Sequence, residues 1–241
     1  MMKEEWAQNK DVIVVVPCKA GSKRVREKNI RNFANSNLVK IKLNQLLKVP
    51  EIKLIVVSTD DEEVISICRS FRNPKIKINL EKRDESSRIS NLGLVGYIVQ
   101  MIKEKEGHLL WTHVTSPFFT EKTYSRAIKS YFSNLGEYDS LASVQKIQSF
   151  IWDESMNPVN YSIEKGRWPK TQDTNPLYIL NSGIFMIPIP LMKKLKDRLG
   201  KKVFFFETND IENIDIDWPE NFEIADLLWK NFKRKSTSNF S

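Results

Sequence analysis

The chain has 241 residues, 41% of them hydrophobic and 10% aromatic, which is enough to bury a core and excludes wholesale disorder. Two cysteines, two histidines and eight glycines exclude a disulfide scaffold, a Cys-rich or multi-His metal centre and a collagen-like chain. The formal charge of +8 is unevenly placed: Pro17 to Arg31 carries +5, Lys230 to Ser241 carries +4, and the remainder is close to neutral.

No apolar run approaches the roughly 20 residues of a membrane span, so no membrane insertion is expected. The polar, mixed-charge stretch Met1 to Lys10 does not read as a secretory leader, and a cytoplasmic location is expected. The composition reads as one domain over 1–241 with a flexible basic tail over 233–241.

Val12 to Val16 is a β-branched run that predicts a strand covered on both faces. The cationic stretch that follows reads as a loop to about Asn29, and Leu38 to Leu47 as a helix. Ile52 to Val57 predicts a second buried strand, followed by a helix capped by the acids of Asp60 to Glu63. A short strand at Ile76 to Leu80, a helix over Leu92 to Ile102 and a strand over Leu109 to Val114 come next. A helix from Glu121 to Phe132 and a strand from Asp139 to Gln145 complete the alternation, which argues an α/β fold with a mostly parallel sheet.

From Lys146 to Pro176 the pattern becomes irregular, with Trp152, Trp168 and three prolines, and reads as a β-rich arm leaving the sheet. Strands over Tyr178 to Ile187, Val203 to Glu207 and Asn213 to Asp217, with helices over Pro190 to Leu199 and Phe222 to Phe232, close the chain.

Two segments carry chemistry. Pro17 to Ile30 follows the first strand directly, and ligands of open α/β sheets bind at the carboxyl ends of strands. Its cations, its Gly21-Ser22 pair and its backbone amides suit a polyanion such as a triphosphate. The loop lacks both the Gly-Lys-Ser/Thr of a Walker loop and the three glycines of a dinucleotide fingerprint. In the second segment, Asp215 and Asp217 stand at i and i+2 of the expected strand and so share one face. Two like charges there are costly without a cation, and two carboxylates plus substrate phosphates are a usual Mg²⁺ set. His113, at a strand end, reads as a hydrogen-bonding residue rather than a base. Cys18 and Cys68 read as core, and Trp218, Phe222 and Trp229 as packing.

Taken together, Pro17-x-Lys19-x-Gly21-Ser22-Lys23 with Lys28-Asn29-Ile30, Val56 to Val64, His113 to Thr120, Asn181 to Phe185 and Ile214 to Ala225 resemble, in order, the acylneuraminate cytidylyltransferases. The resemblance implies a three-layer, Rossmann-like nucleotide-sugar-transferase fold, with 146–176 as an inserted dimerisation arm of a homodimer. It implies transfer of CMP from CTP to a sialic-acid-like sugar acid for surface glycan synthesis, with Mg²⁺ or Mn²⁺. The alternatives are the same chemistry on Kdo, pseudaminic or legionaminic acid, and an inactive protein binding nucleotide or nucleic acid; no nucleic acid is expected as partner.

Carried over by position, Lys19, Ala20, Gly21, Ser22, Lys23, Lys28, Asn29, Arg83, Ser87 and Thr115 would hold CTP. His113, Ser116, Gln172 and Asn181 would meet the sugar, Asp215 and Asp217 the metal, and Lys28 and Asp217 would be catalytic. The chain departs from the family where Lys19 replaces an arginine, Arg24-Val25-Arg26 replaces Gly-x-Pro, and Arg83 to Ser86 shortens a segment. His113 stands for a glutamine, Phe119 for an arginine, Ser182-Gly183 for Gly-Ala, and Ile179 near an expected arginine.

Overall fold

The computed structural model describes residues 8–80 and 91–238. Its centre is a seven-stranded sheet: β1 (Val12–Pro17), β2 (Ile52–Thr59), β3 (Ile76–Leu80), β4 (His108–Trp111), β5 (Ser140–Ile147), β6 (Leu177–Pro188) and β7 (Val203–Glu207). The order is β3-β2-β1-β4-β6-β5-β7. β1 pairs in parallel with β2 and β4, β2 with β3 and β5 with β7, while β6 runs antiparallel to β4 and β5. Crossovers from β1 lead outward to β2 and β3, and the chain then returns to place β4 on the other side of β1. This reversal opens a crevice at the carboxyl ends of β1 and β4, where the cationic loop begins.

Strand alternation divides the core. Val12, Val14 and Val16 enter one cluster, while Ile13 and Val15 enter the other. The first cluster lies under α1 (Leu38–Leu47), α2 (Glu62–Ser70), α4 (Glu121–Asn134) and α6 (Pro219–Ser238). The second lies under α3 (Asn91–Met101) and α5 (Ile189–Leu195). Both faces of β1 are therefore dry, as its unbroken β-branched run requires. Helix starts follow their caps: Asn37 accepts from the Lys40 amide at 2.8 Å, and the Asp61 carboxylate from the Glu63 amide at 2.9 Å.

Three expectations change. Asn213 to Asp217 adds no strand, because the Asn209 side chain accepts from the amides of Ile211 and Glu212 and turns the chain off the sheet after β7. The arm is not β-rich. Between β5 and β6 the chain holds two single 3₁₀ turns, Ile163–Lys165 and Thr171–Asp173, and one bridge, Trp152 to Pro158. Its ladder pairing is confined to the root, where β5 and β6 pair from Gln145–Ile179 to Ile147–Leu177. Thirdly, the segment expected as a tail from 233 is helical to Ser238, consistent with the good helix propensity of lysine and arginine.

Among the described residues no helix is long and apolar enough to cross a membrane. A cavity of about 840 Å³ lined by Gln8 to Asp11, Glu106, Gly107 and Pro190 opens at the amino ends of β1 and β4, away from the crevice.

Candidate active site

The loop after β1 is built on the strand beside it. Thr59 Oγ1 donates to the Cys18 carbonyl at 2.6 Å, and the Cys18 amide donates to the Ser58 carbonyl at 2.8 Å. Cys18 is buried, which fits a packing role. The Ala20 amide donates to Asp60 at 2.8 Å, and Asn29 Nδ2 donates to the Lys19 carbonyl at 3.1 Å, tying the two ends of the loop together. Gly21 takes φ +74°, a left-handed turn that leaves its neighbours Ser22 and Lys23 on the rim. Val25 is the loop's buried anchor, so the Arg24-Val25-Arg26 replacement puts one residue into the core and two cations outside it.

Asp217 lies against this loop. Arg24 Nη2 approaches Asp217 Oδ1 to 3.2 Å and Lys28 Nζ approaches it to 3.5 Å, while Lys28 Nζ also donates to the Ile216 carbonyl at 2.7 Å. The Arg24 guanidinium also sits 5.2 Å from the centre of the exposed Trp218 ring, which is therefore no core residue. Residues nearly two hundred positions apart thus meet at the switch point.

Asp215 faces inward. Its carboxyl is hydrogen-bonded by the Thr115 side chain, but Oδ1 is buried without a hydrogen-bond partner. Burial, and secondarily the Asp217 charge, hold the Asp215 pKa above the usual carboxylate value, against the lowering effects of Thr115 and Lys28. The two carboxylates therefore sense each other, as the i, i+2 spacing implied, without a strand to hold them. The segment is instead pinned by the Ile216 amide, which donates to the Thr115 carbonyl at 2.9 Å.

A residue absent from the sequence reading supports this whole corner. Lys42 on α1 is 1% exposed, and its Nζ donates to the Ser116 carbonyl at 2.8 Å and to the Tyr124 hydroxyl at 2.5 Å. One turn along, Gln45 Nε2 donates to the Pro117 carbonyl at 2.6 Å. Helix α1 thus clamps the Ser116-Pro117 turn, which carries Thr115 and, through it, Asp215 and Ile216. Burial pushes the Lys42 ammonium down to about 7, partly offset by the Asp215 charge.

The other candidates separate. His113 is half-buried and accepts the Trp111 indole N–H on Nε2 at 2.9 Å. Burial first, then the charges of Arg198, Lys42 and Lys28, push its pKa down to about 3, so it is a neutral acceptor and a poor base near pH 7. Ser116 is buried, with its hydroxyl unpartnered. Asn181 has its amide fully engaged: it accepts from Ser143 and the Gly183 amide and donates to Thr208 and Asn213. It binds β5, β6 and the turn after β7 together. Gln172 sits on the exposed Thr171–Asp173 turn, joined to Gln148 through its carbonyl, and no described hydrogen bond links it to the loop or the aspartates. Arg83 and Ser87 lie outside the described residues.

A loop of cations beside a carboxylate pair at a switch point is an arrangement for handling a nucleotide polyphosphate. A cytidylyltransferase family profile matches residues 13–234. The chain belongs to the cytidylyltransferase family. Such a protein is a CTP-dependent nucleotidyltransferase, which agrees with the cationic loop at the end of β1.

A pseudaminic acid cytidylyltransferase of Campylobacter jejuni is 24% identical over 225 residues, covering 90% of this chain and 96% of that protein. A CMP-N,N'-diacetyllegionaminic acid synthase of Legionella pneumophila is 23% identical over 90% of this chain and 95% of its own length. In fold, the chain resembles 4-diphosphocytidyl-2C-methyl-D-erythritol synthase from Anaerococcus prevotii. That comparison has a TM-score of 0.69 and 14% identity, and covers 92% of this chain and 96% of the other. A CMP:2-keto-3-deoxy-manno-octonic acid synthetase complexed with CTP gives 0.62 and 11%, over 92% and 99%.

Proposed function

We propose that this cytidylyltransferase transfers CMP from CTP to the anomeric hydroxyl of a sialic-acid-like 2-keto-3-deoxy sugar acid, releasing pyrophosphate. The observation that carries this reading is the meeting of the β1 loop with Asp217, through Lys28 and Arg24, beside the buried Asp215 at the carboxyl ends of the central strands. In the proposed reaction the anomeric hydroxyl gives up its proton to solvent and its oxygen bonds to the α-phosphorus, while the bond from that phosphorus to the β-bridging oxygen breaks and pyrophosphate leaves. Lys19, Ser22, Lys23 and the Gly21 amide would cradle the phosphates, with the Ala20 amide, on Asp60, and Asn29 holding the loop in shape. Lys28, already aimed at the aspartates, would balance charge that grows on the leaving pyrophosphate. Nucleotidyl transfer asks the protein for alignment and neutralisation more than for covalent chemistry.

The unpartnered Oδ1 of Asp215 fits a divalent cation, as does the nearness of two carboxylates whose like charges oppose ionisation. Asp215 and Asp217 would hold Mg²⁺, or Mn²⁺ in its place, and the ion would neutralise the triphosphate and polarise its α-phosphoryl group. His113 and Ser116 would line the acceptor side. Thr115 orients Asp215.

A homodimer is proposed as well. Tyr178, Ile179 and Leu180 on β6 and Phe205 on β7 are exposed apolar side chains at the root of the arm, and the Tyr178 and Phe205 rings touch. A second copy of the chain is the proposed cover; a light-scattering mass of one chain at micromolar concentration would rule it out. Consumption of CTP fits a cytoplasmic location.

The acceptor is tested by pyrophosphate release from CTP and Mg²⁺ over a panel of pseudaminic, N,N'-diacetyllegionaminic, N-acetylneuraminic and Kdo acids. Release with at least one acid is expected, and none with any acid contradicts the proposal.

A further inference from the structure

Arg198 stands in the turn between α5 and β7, where neither the loop nor the aspartate pair draws attention to it. Its guanidinium carbon lies 4.0 Å from the centre of the Phe185 ring and 5.3 Å from that of Trp111. These two rings are buried register partners on β6 and β4. Together they place two aromatic rings beside the guanidinium at the carboxyl end of β4. The indole N–H of Trp111 donates to His113, so Arg198, Trp111 and His113 make one continuous wall. The wall adjoins the nucleotide corner, for His113 senses the charges of Arg198, Lys42, Lys28 and Asp217 together.

The guanidinium is half-buried and has no ion-pair partner among the described residues. The neighbouring Asp197 carboxylate is committed to the Leu199 amide at 3.2 Å. The Asp197 charge offsets part of the cost of desolvating this cation without closing an ion pair on it, so the N–H edges of Arg198 are left for a ligand. An arginine stacked on aromatic faces keeps its N–H edges in plane, the geometry that a carboxylate accepts with two parallel bonds. A 2-keto sugar acid carries its carboxylate directly on the anomeric carbon. A cation that grips this group therefore also fixes the hydroxyl that must reach the α-phosphorus.

We infer that Arg198, held on Phe185 and Trp111 beside His113, is the group that receives the carboxylate of the acceptor acid. This rests on the sugar-acid reading of the acceptor given above. The corresponding sugar carboxamide keeps the shape and loses the charge, so it separates charge recognition from packing.

The test is calorimetric titration of the same four acids and their carboxamides into parent, Arg198→Gln and Arg198→Lys proteins, with Mg²⁺ and α,β-methylene-CTP present. Pyrophosphate release is followed in parallel, and thermal melts establish that each variant is folded. Loss of one charged, bidentate contact should weaken acid binding roughly 10- to 100-fold in Arg198→Gln, with an intermediate loss in Arg198→Lys. The affinity for α,β-methylene-CTP should stay unchanged, and the carboxamide should bind parent and Arg198→Gln alike. Equal acid affinity in parent and Arg198→Gln overturns the inference, as does a parent that binds no acid or binds acid and carboxamide equally. Arg198-dependent acid binding without pyrophosphate release would uphold Arg198 and refute the transfer reading; release that ignores Arg198→Gln would do the reverse.

Discussion

Lys28 and Asp217 face each other across 3.5 Å, with Lys28 Nζ bound more tightly to the Ile216 carbonyl at 2.7 Å. A lysine held by a neutral carbonyl keeps its charge available to a phosphate. Lys28→Ala should therefore lower kcat on the order of 100-fold, by more than it raises KM for CTP, as steady-state kinetics would reveal. An unchanged kcat would make Lys28 a strut for Ile216. Asp215 behaves differently from Asp217, which the loop cations already neutralise in part. Its raised pKa means that the folded protein favours the protonated carboxyl, so stability is lost as pH rises above the usual 3.8 through the raised folded value. Asp215→Asn should raise the metal-free melting temperature at neutral pH, lose that advantage in acid, and nearly abolish transfer. A variant less stable than the parent at neutral pH would mean that the carboxylate is satisfied by the fold alone. The sequence made the cationic loop and the aspartates readable, because charge density and spacing survive without coordinates. Lys42 was not readable. Helix α1 is buried almost all round, at Leu38, Val39, Ile41, Leu43, Gln45 and Leu46 as well as Lys42, so no polar face marked the lysine as unusual.

At the scale of elements, the turn from Thr115 to Pro117 is positioned from behind by α1. Replacing Lys42 with methionine removes a buried cation while keeping its length. Burial lowers the Lys42 pKa from 10.5 to about 7, so the unfolded chain binds the extra proton and parental stability rises with pH across that interval. The melting-temperature difference, Lys42→Met minus parent, should be most favourable to the variant below about pH 7 and shrink towards pH 10.5. At the same time the variant should need more Mg²⁺ for half-maximal turnover, because Thr115 and Asp215 lose their support. Unaltered Mg²⁺ dependence would reduce Lys42 to packing.

Two departures from the family pattern explain each other. A Cβ on Gly183 would come within 2.2 Å of Phe119 Cζ, so the large ring at 119 and the missing side chain at 183 share one space. Ser182 then takes φ +57° where the family places its glycine. Gly183→Ala should cost about 1–3 kcal/mol in urea unfolding, largely recovered when combined with Phe119→Leu. An additive double variant would mean that the two positions do not compete. Sequence periodicity located nearly every strand of the sheet, and it failed at Asn213 to Asp217 for a local reason. Alternating Ile and Asp imitate a ladder, but the Asn209 turn takes the segment off the sheet edge, and bonds from Ile216 to Thr115, Lys28 to Ile216 and Asn181 to Asn213 then hold it.

Across the whole molecule, the strand order puts β1 and β4 side by side with their crossovers leaving in opposite directions, and the two chemical segments converge on that reversal. Arg198, over Trp111 and Phe185, stands towards β6 from this reversal, so nucleotide and acceptor would lie along one end of the sheet. The order of strands and the antiparallel β6 could not be read from local patterns, since pairing partners are set by long-range packing rather than by the residues of each strand. The account's central claim is that this edge joins CMP to a sugar acid. It is tested most directly by ³¹P NMR of the protein with CTP, Mg²⁺ and the acid that releases most pyrophosphate. The account predicts loss of the three CTP resonances with equal growth of pyrophosphate and a single phosphodiester signal, whose product has the mass of CMP plus the acid less water. Orthophosphate with CDP, or pyrophosphate with free CMP and no phosphodiester signal at any time, would contradict it.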